Sequence, residues 1–303
     1  MNRVMVTGAS GFLGRHVLQA LHEHGYEVHA VSRLPKAAPD TDLNWHQADL
    51  FNVNQVSDLM EAVRPSHCLH LAWEATPGVY WNSYENFRWV EATAALTRLF
   101  QAYGGKRFVA AGTCAEYVWQ EDKLKENETP LSFHSPYAAC KNDAYLLTSR
   151  FAKFTDLSMA WCRLFFLYGP YESSSRLVPS VIRSLHSGSM ANCSEGTQKR
   201  DYLYVEDAAE AMVAVLDSDI NGPVNIASGL AVPVKDLVGQ IAALMNQPHL
   251  IQLGAAGSAS KEEPLVLADI ERLRSLRWQP KHNLEQGLSK TIRWWNEFLR
   301  GEM

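Results

Sequence analysis

The first fourteen residues constrain the fold more than any other stretch of the chain. Val4, Met5 and Val6 form a short apolar run of the kind a strand covered on both faces needs, and Thr7-Gly8-Ala9-Ser10-Gly11-Phe12-Leu13-Gly14 comes directly after it. From Phe12 to His24 the spacing of Leu13, Val17 and Leu21 puts one apolar face on a helix. Strand, glycine turn and helix in that order form a phosphate cradle. Without side chains at Gly8, Gly11 and Gly14, backbone N–H groups can approach a pyrophosphate, and the helix N-terminus attracts its charge. An ordinary glycine-rich strand-to-helix turn uses the same residues, so the reading depends on the remainder of the chain.

The second strand, Tyr26 to Ser32, ends in Ser32-Arg33, where NAD-binding folds place an acid for the ribose 2′-hydroxyl. An arginine accommodates a 2′-phosphate instead. This predicts NADP, with NAD as the alternative cofactor and a solvated surface arginine as the bland one. Asp49-Leu50, after the third apolar stretch, falls where the adenine would be held. Further strands at Asn44 to Gln47, His67 to Ala72, Arg107 to Ala111 and Ser158 to Leu164 alternate with helices near 54–64, 84–103 and 136–153. That alternation predicts an α/β fold with a parallel, doubly wound sheet. The pattern loosens after Gly169-Pro170, and Val224 to Ala227 returns as one more strand. The expected division is a dinucleotide-binding domain of 1–169 plus about 200–228, and a smaller C-terminal α/β substrate lobe of 170–199 and 229–303.

Composition narrows the partners. A net charge of −5 leaves no footprint for a phosphate backbone, which argues against nucleic acid. Cys68, Cys114, Cys140, Cys162 and Cys193 show no paired spacing, as in a reduced, cytoplasmic protein without a structural zinc site. The sequence opens on a core strand, so no signal peptide is expected, and no apolar run approaches membrane-spanning length.

The chemistry rests on Tyr137-Ala138-Ala139-Cys140-Lys141 and Thr113. A free tyrosine ionises at about 10, too high for proton exchange at neutral pH. Lys141 lies four residues on, on the same helix face, and its ammonium favours the phenolate. Ser135-Pro136 supplies a helix cap with proline in the first turn. Thr113 comes after the strand at Phe108 to Ala111, which brings its hydroxyl to the carboxyl edge of the sheet, where doubly wound folds bind ligands. There it can hold a substrate oxygen while Tyr137 exchanges a proton. Nicotinamide-dependent redox chemistry on an alcohol or ketone is the class these residues imply.

The whole chain resembles an extended short-chain dehydrogenase/reductase of the nucleotide-sugar epimerase/dehydratase/reductase group, built on a Rossmann sheet. The matching pieces are Gly8-x-x-Gly11-x-x-Gly14, Asp49-Leu50, His70-Leu71-Ala72, Ala111 to Tyr117, the Tyr137/Lys141 pair and Arg163 to Pro170. Arg200 to Asp207, Asn225 to Gly229, and Trp278-Gln279-Pro280 with its Leu284 to Phe298 helix complete the set. The resemblance implies Thr113, Tyr137 and Lys141 as catalytic residues, Lys141 also binding the nicotinamide ribose. It places Gly8, Ser10, Gly11, Phe12, Leu13, Gly14, Ser32, Arg33, Asp49, Leu50, Leu71, Ala72 and Trp73 on the cofactor. It implies a sugar-nucleotide substrate whose diphosphate Arg200 grips through a bidentate guanidinium.

Departures from the family pattern refine that picture. Members that dehydrate carry Asp-Glu directly after the catalytic threonine; here these are Cys114 and Ala115, so dehydration is disfavoured. The family's asparagine before Leu167-Tyr168-Gly169-Pro170 is Phe166, and Glu262-Glu263-Pro264 precedes Leu265 to Asp269 where a second arginine is expected. An aromatic segment, Trp73 to Asn82, continues from the His70-Leu71-Ala72 strand end; Trp73 and Trp81 can cover a sugar or pack under their own loop. Glu74, Cys114 and Glu116 are further substrate-side candidates, the acids as hydroxyl partners or as solvated surface groups, and His70 reads as a positional residue. Stereospecific reduction of a 4-keto-6-deoxysugar nucleotide is the expected reaction. An epimerase with tightly bound NAD(P), and a non-catalytic dinucleotide sensor, are the alternatives. The helix at 84–103 carries two apolar stripes, Trp89, Ala92, Leu96, Leu99 and Tyr103 on one and Phe87, Val90 and Ala94 on the other. One stripe suffices to cover a sheet, so, with the family's paired-helix bundle, a homodimer is expected.

Overall fold

Alternation of side chains along a short strand decides the architecture. Val4 and Val6 fall into one buried cluster and Met5 into another, and the same split separates Leu69 from Cys68, Val109 from Phe108, and Ala160 from Trp161. Strands apolar on both faces need helices on both faces. The computed structural model, which describes residues 2–34, 43–257 and 263–302, supplies them.

In chain order the first elements are β1 (Arg3–Thr7), α1 (Phe12–Glu23), β2 (Glu27–Ser32), β3 (Asn44–Gln47), α2 (Val53–Val63), β4 (His67–His70), α3 (Glu85–Ala102), β5 (Arg107–Thr113), α4 (Pro136–Thr155) and β6 (Ser158–Leu164). Then come β7 (Phe166–Tyr168), α5 (Leu177–His186), β8 (Ala191–Asn192), β9 (Lys199–Tyr204), α6 (Val205–Leu216) and β10 (Gly222–Ile226). The chain closes with β11 (Ala231–Pro233), α7 (Val234–Leu244), β12 (Ile251–Gln252), β13 (Leu265–Val266), α8 (Glu271–Arg274) and α9 (Leu284–Arg300).

Seven parallel strands form the large sheet in the order β10-β6-β5-β4-β1-β2-β3. The chain runs outward from β1 to β3, then crosses back to β4 and runs the other way. The strand order therefore reverses beside β1 and β4, and a crevice opens there at their carboxyl ends. One core cluster holds the buried faces of α1 and α6, the other those of α2, α3 and α4. β5 extends two residues past Ala111, because Gly112 and Thr113 pair with Arg163 and Leu164 of β6. A second sheet joins β11, β9 and β13, with β7 on β9, and β8 pairs with β12. The returning segment expected at about 200–228 divides between the two sheets: β9 enters the small one, whereas α6 packs on α1 and β10 closes the large one.

α4 forms where its capping signals place it. The Ser135 hydroxyl accepts the Ala138 N–H at 3.2 Å, Pro136 occupies the first turn, and Asp156 ends the helix in the left-handed region. Along α3, Trp89, Ala92, Leu96 and Leu99 are buried. Of the second stripe, Val90 packs on the core while Phe87 stays 55% exposed. A groove of about 340 Å³ between α3 and α4 is lined by Ala94, Ala95, Leu147 and Phe151 among others. All five cysteines are free and buried. Among the described residues, no helix is long and apolar enough to cross a membrane.

Candidate active site

The glycine turn and the end of β4 meet at the reversal point. Gly8 has φ +69°, and a Cβ there would lie 2.7 Å from the Ala72 nitrogen; one on Gly14 would collide with the Gly8 carbonyl oxygen. Only bare backbone fits between these segments. Gly11 begins α1 with no side-chain cap and the first turn holds no acid, so the leading N–H groups stay available to a diphosphate. Leu71 N–H binds the Thr7 carbonyl at 3.1 Å, and Ala72 N–H reaches the Thr7 hydroxyl at 3.4 Å. A dinucleotide therefore fits the donor set, with Ser10, Phe12 and Leu13 in or beside the turn.

At the tip of β2, Arg33 is exposed, and the Ser32 hydroxyl accepts the Leu34 N–H. Asp49 accepts the Phe51 N–H at 3.0 Å, while the Leu50 side chain is buried in the core. Glu74 does not line the cleft. It accepts the Thr76 N–H at 2.9 Å, and that bond together with the nearby Arg33 charge holds its carboxyl below the usual range. Its carboxylate thus turns to the Thr76 backbone and the Arg33 charge and away from the cleft, where the sugar contact was expected.

The three candidate catalytic residues gather at one cleft. Thr113 and Tyr137 line a cavity of about 790 Å³, together with Phe12, Cys114, Trp119 and Arg200. Lys141 is buried behind it; its Nζ donates to the Ala111 carbonyl at 2.8 Å and sits 3.8 Å from the centre of the Trp73 ring. Burial pushes Lys141 down to about 7, opposed by Glu116. Burial also raises Tyr137 above its ordinary value, against the Thr113 side chain, which favours ionisation. The sequence predicted a tyrosine lowered by lysine. Burial is the largest influence on both side chains, lowering the lysine and raising the tyrosine, so the tyrosine keeps its proton at neutral pH.

The aromatic segment divides. Trp73 packs inward, with Nε1 donating to Asn86 at 2.8 Å and its ring stacked on Trp89. Tyr80 and Trp81 face the cleft, their ring centres 4.7 and 5.6 Å from that of Tyr137. His70 bonds Thr7 and Thr93 through its two ring nitrogens, at 2.7 and 3.0 Å, and burial drives it down to about 3. A neutral ring with both nitrogens engaged positions its neighbours.

Glu116 is the second correction. It is 0% exposed, its Oε2 pairs with Arg163 Nε at 2.7 Å, and its Oε1 accepts the Thr113 N–H at 2.8 Å. Trp161 Nε1 donates to both carboxylate oxygens, at 3.0 and 3.1 Å, and Asn142 of α4 donates to the Glu116 carbonyl at 3.0 Å. No sugar hydroxyl reaches it. Glu116 instead ties the strand end that carries Thr113 to the helix that carries Tyr137 and Lys141. Burial pushes the Cys114 thiol up to about 12, and its carbonyl accepts Trp119 Nε1 at 2.8 Å. Arg200 is 6% exposed and donates to the Lys199 and Glu263 carbonyls at 2.9 and 2.8 Å. Glu263 lines the cleft; Glu262 lies outside the described residues. Glu172 and Arg176, also on the cleft wall, carry no sequence signal beyond their place after the Gly169-Pro170 turn.

A doubly wound sheet, with a glycine cradle at its reversal point and a hydroxyl-lined cleft at the carboxyl edge, defines a dinucleotide-binding α/β enzyme. Residues 4–227 match the model of the NAD dependent epimerase/dehydratase family, and the chain belongs to that family. It is 27% identical to the UDP-glucuronate 4-epimerase of Thermodesulfobacterium geofontis over 331 residues, covering 98% of this chain and 97% of that one. Identity to the CDP-abequose synthase of Salmonella typhimurium is 23%, over 96% of this chain and 97% of that one. A solved structure of MoeE5 in complex with UDP-glucuronic acid and NAD aligns with a TM-score of 0.84 and 29% identity, covering 100% of both chains.

Proposed function

We propose that this protein is an NADP-dependent oxidoreductase of a nucleotide-diphosphate sugar, and that it stereospecifically reduces the keto group of a 4-keto-6-deoxysugar nucleotide. The observation that carries this is Tyr137, kept protonated beside Thr113, with Cys114 and Ala115 next along the chain. When bound, the nicotinamide supplies a hydride to the ring carbon. Thr113 holds the carbonyl oxygen, and Tyr137 gives that oxygen its proton as it becomes a hydroxyl. Lys141, behind the tyrosine, then favours the phenolate left behind. A thiol at about 12 and a methyl group neither give nor take a proton at neutral pH, which disfavours water elimination. Arg200 binds the substrate diphosphate, and the exposed Arg33 pairs with a 2′-phosphate.

The relatives that act on or bind glucuronate nucleotides favour a second reading, an epimerase that retains NAD(P) and oxidises and re-reduces one carbon. A non-catalytic sensor has no need of all three catalytic side chains. We place the protein in a reducing cytoplasm, as a homodimer joined through the α3/α4 groove. Loss of NADPH absorbance on adding a 4-keto-6-deoxysugar nucleotide tests the reductase. Cofactor retained through purification, with interconversion of UDP-glucuronate and its 4-epimer, is the outcome that replaces it with the epimerase.

A further inference from the structure

One polar group on the cleft wall has no partner among the described residues. In the turn between β7 and α5, Tyr171 adopts φ +67°, the left-handed region. The Tyr171 ring turns outward, 4.7 Å from Trp294 and 4.8 Å from the Arg15 guanidinium. Glu172, the next residue, turns inward: it is 9% exposed, lines the cleft, and its Oε2 is buried with no hydrogen-bond partner. Burial pushes this carboxyl up to about 8, while Arg176 and the Gly169 backbone pull the other way. A buried carboxyl oxygen with no partner destabilises the protein that holds it, until a ligand group satisfies it.

Its neighbours identify which part of a ligand that is. The Arg176 guanidinium lies 5.5 Å from the centre of the Tyr80 ring, and Tyr80 meets Tyr137 edge-on at 4.7 Å. The Glu172–Arg176 segment is thus one aromatic ring away from the proton donor. Arg200 lies elsewhere on the wall, 5.8 Å from Trp119 and 5.7 Å from Phe166. A substrate with its diphosphate at Arg200 and its reacting carbon at Tyr137 presents its sugar ring to Tyr80 and Glu172. We propose, resting on the sugar-nucleotide reading of the cleft, that Glu172 is a specificity-determining residue that hydrogen-bonds a hydroxyl of the sugar ring. A hydroxyl both donates and accepts, so it satisfies a carboxyl in either protonation state.

Glu172→Met and Glu172→Gln test this with two readouts. UDP, dTDP, UDP-glucose and dTDP-glucose are titrated calorimetrically into the NADPH-bound protein, and NADPH affinity is measured by its fluorescence. Glu172→Met should weaken the sugar nucleotide on the order of 10- to 100-fold while leaving the matching nucleoside diphosphate and NADPH unchanged. It should also raise the thermal midpoint of the ligand-free protein, because a buried unsatisfied group is gone. Glu172→Gln keeps a donor and an acceptor and should recover most of the affinity. A purely structural Glu172 gives the opposite pattern, a lower midpoint with selectivity intact. Equal losses for diphosphate and sugar nucleotide, a loss confined to NADPH, or no loss in Glu172→Met each overturn the role of Glu172 alone. Wild-type protein that binds none of the sugar nucleotides overturns the substrate reading together with it.

Discussion

Glu116→Gln removes one charge from a sealed pair, in which the Arg163 and Glu116 side chains are 1% and 0% exposed and 2.7 Å apart. Glutamine keeps the shape and an oxygen that can still accept the Thr113 N–H, now at 2.8 Å. It cannot neutralise Arg163, whose remaining neighbours are the Glu126 carbonyl at 3.2 Å and the Tyr117 and Tyr145 rings at 4.4 and 5.3 Å. Stripping one partner from a buried ion pair costs about 3–5 kcal/mol. Against a total stability of about 5–15 kcal/mol, that is a large fraction. Urea unfolding should show the midpoint fall at constant slope. Activity should respond as well, since the Glu116 charge raises both Lys141 and Tyr137. With that charge gone and Arg163 uncompensated, both groups lose their protons at lower pH, and the alkaline limb of kcat/KM moves toward neutrality. Glu116→Gln/Arg163→Met should recover much of the stability, because an apolar replacement of the whole pair leaves no orphan charge. A loss under about 1 kcal/mol with an unmoved pH profile would refute the positioning role assigned to Glu116.

Tyr137→Phe keeps the ring contacts to Tyr80 and Trp81 but removes the proton donor, so turnover should fall about 10²-fold or more with NADPH affinity unchanged; near-normal turnover removes Tyr137 from the mechanism. Arg33→Ala should weaken NADPH selectively over NADH in fluorescence titrations, and equal weakening of the two would show that Arg33 does not read the 2′-phosphate. Lys141 is pushed from 10.5 to about 7 in the folded protein, so the unfolded chain binds the extra proton and wild-type stability should rise with pH across that interval. Lys141→Met should lose that slope, and parallel stability curves for the two proteins would contradict it. Light scattering at micromolar concentration should give twice the 34.0 kDa chain mass; a monomer leaves Phe87 and the α3/α4 groove simply solvated.

What the sequence exposed was whatever depends on near neighbours. The turn from Thr7 to Gly14, the caps of α4 and the alternation that orders the large sheet are written in residues a few positions apart, and local spacing suffices to read them. Glu116 was not legible: an acid three residues after a hydroxyl looks solvated until Arg163 and Trp161, 47 and 45 positions away, close over it. The direction of Glu74 was not legible for a related reason, since it is set by the turn at Thr76. The sense of the Tyr137 and Lys141 shifts depends on burial, which the spacing of the pair does not encode. Strand β9 gave no sign of a sheet of its own, because its partners β7, β11 and β13 are only two or three residues long.

The five sequestered thiols make this chain its own probe of opening. Alkylating reagents attack the thiolate, and burial pushes Cys114 and Cys162 up to about 12 and Cys68 higher still. In the folded molecule a maleimide must wait for a local opening, so its rate at each cysteine measures how often that element comes apart. Cys68 and Cys162 report on strands of the large sheet, Cys140 on α4, and Cys193 on the small lobe beside Gln252. Cys114 sits on the cleft wall, where an occupant slows labelling at that one sulfur while the other four keep time.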